Sequence, residues 1–317
     1  MTILRAILIL FISGLVVTSN AQDINAAGEL FNQGIQYAKS DNYDAAIDAY
    51  KKTIDMSSQL GEAGIDLMMK AEQALVSAYY NYGVSLYKSK KYGTAIDQFK
   101  LAAEKAGVIN DTKTQGLANT YLSGLYTGIG NSKLKKDELD AALDQYKAAL
   151  VYKPDYLKAY YGMGLVYKKK EDLEMMKQAM DNAIDMGEEN DPTVQKAISV
   201  TATTFLNAGA IDLQRLNYND AVEHLNIAAQ YDPAEPQTYY YLAVAYNGLK
   251  KWDEAIAAAN MAKKKGYGEA SDIWFQIGQA NEGKGDSTAA CEAYAQVTTG
   301  PNVEAAKYQM DQVLGCN

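Results

Sequence analysis

Residues 217–233 read NYNDAVEHLNIAAQYDP. The pattern recurs as NYDAAIDAYKKTI at 42–54, KYGTAIDQFKLAA at 91–103, ELDAALDQYKAALVYKP at 138–154 and KWDEAIAAANMA at 251–262. Each copy centres on an alanine: Ala46, Ala95, Ala142, Ala221 and Ala255. Three residues before it stands Tyr43, Tyr92, Leu139, Tyr218 or Trp252, and four after it Tyr50, Phe99, Tyr146, Leu225 or Ala259. Apolar residues at i, i+4 and i+7 lie on one face of a helix. Twelve positions before the alanine comes a small residue, in the pairs Gly34/Ala46, Gly83/Ala95, Gly209/Ala221, Ala243/Ala255 and Gly278/Ala290. Gly164/Met176 keeps the spacing with methionine in the alanine slot, and Gly124/Ala142 keeps the residues with six more between them. Small residues let two antiparallel helices approach closely, so the pattern predicts seven helical hairpins.

The second marks lie 49, 47, 34, 45, 34 and 35 residues apart. The wide intervals predict insertions. The first extends a helix backward through residues 67–72. The second is split between a loop at 108–116 and a basic loop at 131–136, and the third holds Pro192 and a longer helix starting near Thr193. All five prolines fall between the expected helices, where the missing N–H costs nothing. Asn302 is expected to N-cap a final helix over 303–314, ending at Gly315, that covers the last apolar face.

These segments, with QTYYYLAVAY at 237–246 and YYGMGLVY at 160–167 as first helices, resemble the tetratricopeptide repeat (TPR), a 34-residue helix-turn-helix. The resemblance spans about 27–302. It implies an all-α, right-handed superhelix with repeats near 27–60, 76–109, 117–156, 157–190, 202–235, 236–269 and 271–302, and a capping helix at 303–314. In peptide-binding members the third residue before the small one faces the inner groove. Here that count gives Phe31, Tyr80, Tyr121, Tyr161, Leu206, Tyr240 and Phe275, followed by apolar neighbours such as Val84 and Leu165. Such rings offer large, rigid contact area for a protein or peptide partner. They serve equally well to pack adjacent helices, and the sequence leaves both readings open. The carboxylate-clamp pattern of asparagine and basic residues is missing from these positions.

The chain has 317 residues, 48% of them hydrophobic and 22% charged, which is globular composition. A net charge of −9 argues against nucleic-acid binding by phosphate neutralisation. One histidine and two cysteines do not make a typical zinc site, so neither a metal nor a cofactor is expected. Residues 278–285, GQANEGKG, approach a phosphate-binding loop, but Gly285 stands where a Ser or Thr should hold magnesium and no strand precedes it. His224 has no evident Ser or Cys partner. Nothing in the sequence marks an enzyme.

Met1 to Arg5 supplies one basic residue, residues 6–17 read AILILFISGLVV, and Ser19-Asn20-Ala21 offers small residues where signal peptidase reads. The segment 1–21 is therefore expected to be a cleaved signal. The mature chain would begin at Gln22, without an integral membrane segment, in the periplasm of a bacterium or outside the cell. Two cysteines in an oxidising compartment, Cys291 and Cys316, are expected to pair and staple the cap, closing a loop worth roughly 3 kcal/mol. The expected function is a non-catalytic exported scaffold or adaptor holding a protein or peptide partner, such as another envelope protein, on its concave face. The alternative is an envelope accessory that recognises a polymer or glycan, or a regulatory subunit of an envelope enzyme. Uncovered repeat faces also invite self-association.

Overall fold

The computed structural model describes residues 23–316, so the expected signal segment 1–21 and its cleavage point lie outside the described residues. The described residues form helices and no strand. In chain order they are α1 (23–39), α2 (Tyr43–Gln59), α3 (Ile65–Lys88), α4 (Tyr92–Val108), α5 (Thr112–Lys135), α6 (Leu139–Tyr152), α7 (Leu157–Lys169), α8 (Leu173–Asp185) and α9 (Pro192–Gln214). Then follow α10 (Tyr218–Tyr231), α11 (Pro236–Gly248), α12 (Trp252–Lys265), α13 (Ala270–Lys284), α14 (Ser287–Tyr294) and α15 (Val303–Tyr308), which continues into a π-helical turn, Gln309–Leu314. The chain divides into two compact units, one ending at Ala159 and one beginning at Tyr160.

Each pair of helices meets at the same turn. Seven residues after the small residue of each hairpin comes a left-handed residue: Asp41, Lys90, Asp137, Glu171, Leu216, Lys250 or Gly285. The next N–H reaches back five residues to a carbonyl of the first helix. Asn42 bonds Tyr37 at 2.9 Å, Asn217 bonds Asp212 at 2.9 Å, and Asp286 bonds Asn281 at 2.9 Å. This 6→1 bond satisfies a carbonyl the helix end would otherwise leave bare. Carboxylates and amides open several helices: Asp111 accepts from Thr114 N, Asp172 from Met175 N and Asp286 from Ala289 N, each at 3.0 Å.

Between paired helices a glycine sits under a large side chain sixteen residues later. Gly34 lies beneath Tyr50, Gly83 beneath Phe99, Gly164 beneath Met180, Gly209 beneath Leu225 and Gly278 beneath Tyr294. A Cβ added at any of them would stand within 2.5–2.8 Å of that side chain, closer than packed atoms approach. The sixth hairpin reaches the same volume differently: Ala243 faces Ala259, and both are fully buried. The alanine marks themselves are completely inaccessible, as is Met176 in the alanine slot.

This geometry corrects the reading of the third repeat. The glycine beneath Tyr146 is Gly130, not Gly124, with a Cβ position 2.7 Å from the ring. Gly130 restores the twelve-residue spacing to Ala142 and places the left-handed Asp137 in register. The six extra residues therefore precede the small residue. They lengthen α5 to 24 residues. For the same reason 131–136 is not a basic loop: α5 runs through Lys135, and only 109–111 separates it from α4. The first and third insertions are also absorbed by helix, in α3 of 24 residues and α9 of 23, which starts at Pro192 behind the capping Asp191.

The C-terminal segment is helical over 303–314, but Asn302 does not cap it through its side chain. Its Nδ2 instead donates to Asp272 Oδ1 at 3.0 Å, tying the segment to α13. Val303, Met310 and Leu314 pack with Trp274, Phe275 and Tyr294. The sulfurs of Cys291, on α14, and Cys316 stand at disulfide distance, with Cα atoms 5.8 Å apart. Gly315, at φ 64°, turns the chain back toward α14.

Candidate functional site

The aromatic residues expected to line a groove are all half-buried. Most spend their faces on neighbours. Phe31 tilts against Tyr50 at 5.8 Å between ring centres, and Tyr80 meets Phe99 at 5.9 Å. Tyr121 stacks on Phe99 at 4.6 Å with an interplanar angle of 10°. With Gly130 as the small residue, Tyr121 is not in the expected position at all; the buried Thr127 is. Val84 joins the same core, and Tyr161 and Leu165 pack with Met176 and Met180. Tyr240 stacks on Tyr267 at 4.6 Å, and burial drives its hydroxyl well above the usual tyrosine range.

Phe275 differs from these. It tilts against Tyr294 at 5.8 Å yet also lines an open groove of about 630 Å³ in the second unit, between α11 and α13. This volume lies within the ~300–1,000 Å³ of typical ligand sites. Val244 and Gln279, one position beyond the small residues of the last two hairpins, line it as well. Its floor is built by two further close approaches. The Tyr218 ring lies against Gly248, and the Trp252 ring against Gly283, where a Cβ would come within 2.6 Å. Both glycines lie in the last turn of a first helix, so each lets an aromatic residue of the preceding second helix reach the groove.

The groove's polar groups form a defined set. Asn247 Nδ2 donates to the backbone oxygen of Gln276 at 3.0 Å and to its Oε1 at 2.9 Å. Both nitrogen-bound hydrogens are thus committed to acceptors, which fixes the amide's orientation. Asn247 Oδ1 is buried and has no partner, and so is Oε1 of Gln309, which enters from the π-helical turn. Glu282 accepts from the Tyr294 hydroxyl at 2.7 Å. Burial first, and that bond second, push the Tyr294 hydroxyl strongly up, so it stays a donor. Among the described residues no lysine or arginine lines the groove.

The sequence reading reached Phe275 but not Asn247, Gln276, Glu282 or Gln309. A signal existed: Phe275, Gln279 and Glu282 follow at i, i+4 and i+7, one helix face. Gln309 had none, because the π-turn that delivers it is set by packing. His224 has a partner that the sequence did not disclose: its Nδ1 lies 2.6 Å from Oδ2 of the buried Asp212. The bond joins α10 to α9 and accounts for the lone histidine as a packing residue. Residues 278–285 form the end of α13 and its left-handed stop, which leaves no phosphate loop. Among the described residues no group of three or more His, Cys, Asp or Glu could hold a metal ion. No described helix is long and apolar enough to cross a membrane.

Family models agree with the hairpin register. A model described as TPR repeat matches residues 130–171, and two described as tetratricopeptide repeat match 206–269 and, separately, 157–190 and 271–299. The chain is a tetratricopeptide repeat protein. No curated protein matches this TPR chain. Solved structures similar to it include YrrB, a TPR protein with an unusual peptide-binding site, at 21% identity over 60% of this chain and 88% of that one, TM-score 0.34. A TPR protein from Parabacteroides merdae is 16% identical over 92% and 100%, TM-score 0.30. The TPR2AB-domain:pHSP90 complex of yeast Sti1 is 17% identical over 92% and 96%, TM-score 0.32.

Proposed function

We propose that this TPR protein is a non-catalytic scaffold of the cell envelope that holds a segment of a partner protein in the α11–α13 groove. One observation carries the reading: Asn247 Oδ1 is buried and unpartnered at a groove that four rings line together with Gln276, Gln279, Glu282 and Gln309. A buried acceptor without a donor costs about 1–3 kcal/mol, and a bound segment that supplies the donor recovers it. The rings provide the apolar anchor typical of interface centres. Export is part of the proposal. Its support is the basic, apolar and small-residue order of 1–21, together with a cysteine pair at disulfide distance.

Two measurements test the reading. A photoreactive side chain at the exposed Gln279 should crosslink a protein in native cells, and the crosslink should fade when Phe275→Ala is added. Crosslinks to glycan alone, or crosslinking indifferent to Phe275, would reject the scaffold reading. Mass spectrometry of the natively expressed protein should show a chain beginning at Gln22. A chain retaining 1–21, recovered with the cytoplasm, would reject export.

A further inference from the structure

We infer that the partner segment seats a basic side chain, an arginine in preference to a lysine, in the α11–α13 groove. The inference rests on the groove reading above and adds the chemistry of its occupant. The buried oxygens at the site without a donor are Asn247 Oδ1 and Gln309 Oε1, and the Glu282 carboxylate, which already accepts from Tyr294, adds a negative charge beside them. Two nearby donors are already spent inside the protein, Asn247 Nδ2 on Gln276 and the Tyr294 hydroxyl on Glu282. An extended backbone brings carbonyls as often as N–H groups, and its carbonyls would face these same oxygens. A guanidinium brings five donors and no acceptor. The walls suit it too. Trp252, Phe275 and Tyr218 place rings in the lining, and aromatic rings attract a delocalised cation. No cation competes from the lining, and Lys284, next to Gly283, is paired with Asp253 at 2.5 Å. An acidic segment would meet the Glu282 carboxylate with nothing to neutralise it.

The experiment measures fluorescence anisotropy with the mature, disulfide-intact chain and three labelled, alanine-rich decapeptides. These carry a central pair of arginines, leucines or glutamates. The arginine peptide should bind at least about tenfold more tightly than the others. Glu282→Gln keeps an acceptor for Tyr294 but removes the charge, and should weaken arginine binding about tenfold. Asp144→Asn, an exposed site in the first unit, makes the same change in net charge and should leave binding within about twofold. Circular dichroism checks that each variant folds. Arginine binding that ignores Glu282→Gln, or falls equally with Asp144→Asn, is general attraction to an acidic chain and overturns the inference. Leucine or glutamate binding as tight as arginine, and lost in Phe275→Ala, keeps the groove and overturns the basic occupant. Binding of none of the three overturns the basic occupant, while the Gln279 crosslink still decides the groove itself.

Discussion

Each hairpin is set by a contact of one glycine with one large side chain. Where the glycine becomes alanine, at Ala243, the opposing residue shrinks to Ala259. Volume across the helix pair is therefore what is held constant, not residue type. Gly130→Ala should test this directly. Its new Cβ would stand 2.7 Å from the Tyr146 ring, and overpacking of this kind costs about 1–3 kcal/mol. Adding Tyr146→Leu should restore part of the loss, and a double-mutant cycle in urea would read the coupling. Additive losses would mean the contact does not set the helix spacing. The same change at the half-buried Gly124, whose Cβ would meet only the Tyr156 hydroxyl at 3.5 Å, should be nearly neutral. The seven left-handed turn residues offer a second test. Leu216 adopts φ 62° while two-thirds exposed, so its side chain adds strain and little packing. Leu216→Asn should raise stability by roughly 0.5–1 kcal/mol, because asparagine tolerates this conformation. A loss on thermal melting would show that Leu216 has a packing role.

At the scale of elements, the helices were legible in the sequence because their period and small-residue spacing repeat. The third repeat misled because Gly124 and Gly130 are both small, and only the ring of Tyr146 shows which one is covered. The first and third insertions were legible as helix and the second was not, since 131–136 is polar and basic whether or not it is hydrogen-bonded into α5. The aromatic ladder was legible as rings; what each ring touches is a tertiary matter, and Tyr80, Tyr121 and Tyr240 turn toward other rings. The C-terminal turn joins element and site. Gln309 reaches the groove from a six-residue π-turn whose end is held by the Cys316 N–H on the Met310 carbonyl at 2.9 Å, with Cys316 at disulfide distance from Cys291. Terminal repeats have one neighbour and fray first. Cys316→Ser should therefore raise amide exchange over α13, α14 and the π-turn, with little change in α9 and α10. Thermal stability should fall by up to about 3 kcal/mol. Free alkylation of both thiols in the folded, unreduced protein would remove the basis of this expectation.

Across the whole molecule, tyrosine does much of the work that phenylalanine does in other cores: there are 25 Tyr and 5 Phe. Several of these hydroxyls are held away from water, and this makes stability depend on alkaline pH. Burial pushes Tyr146 up to about 12. Burial, then the hydrogen bond to Asp181, brings Tyr231 to about 12, and burial, then the charge of Asp272, does the same for Tyr267. Burial takes Tyr240 and Tyr294 higher still. In the unfolded chain all of them ionise near 10. Between pH 10 and 12 the unfolded state therefore binds fewer protons than the folded one, and stability falls as pH rises through that window. Below pH 10 both states are protonated and the contribution is fully present. Thermal melts followed by circular dichroism should thus be flat up to about pH 10 and drop steeply above it, with tyrosinate absorbance appearing together with unfolding. Lysines such as Lys177, raised by the hydrogen bond to Asp181, shift stability in the same direction, so a variant must separate the two. Tyr146→Phe does so. It loses the bond to Asn131 Oδ1 at 2.8 Å, worth about 0.5–1.5 kcal/mol, and should melt lower at neutral pH. It cannot ionise, so its melting curve should fall less steeply and converge with that of the unsubstituted protein above pH 10. Parallel curves over the whole range would show that Tyr146 takes no part in the alkaline loss.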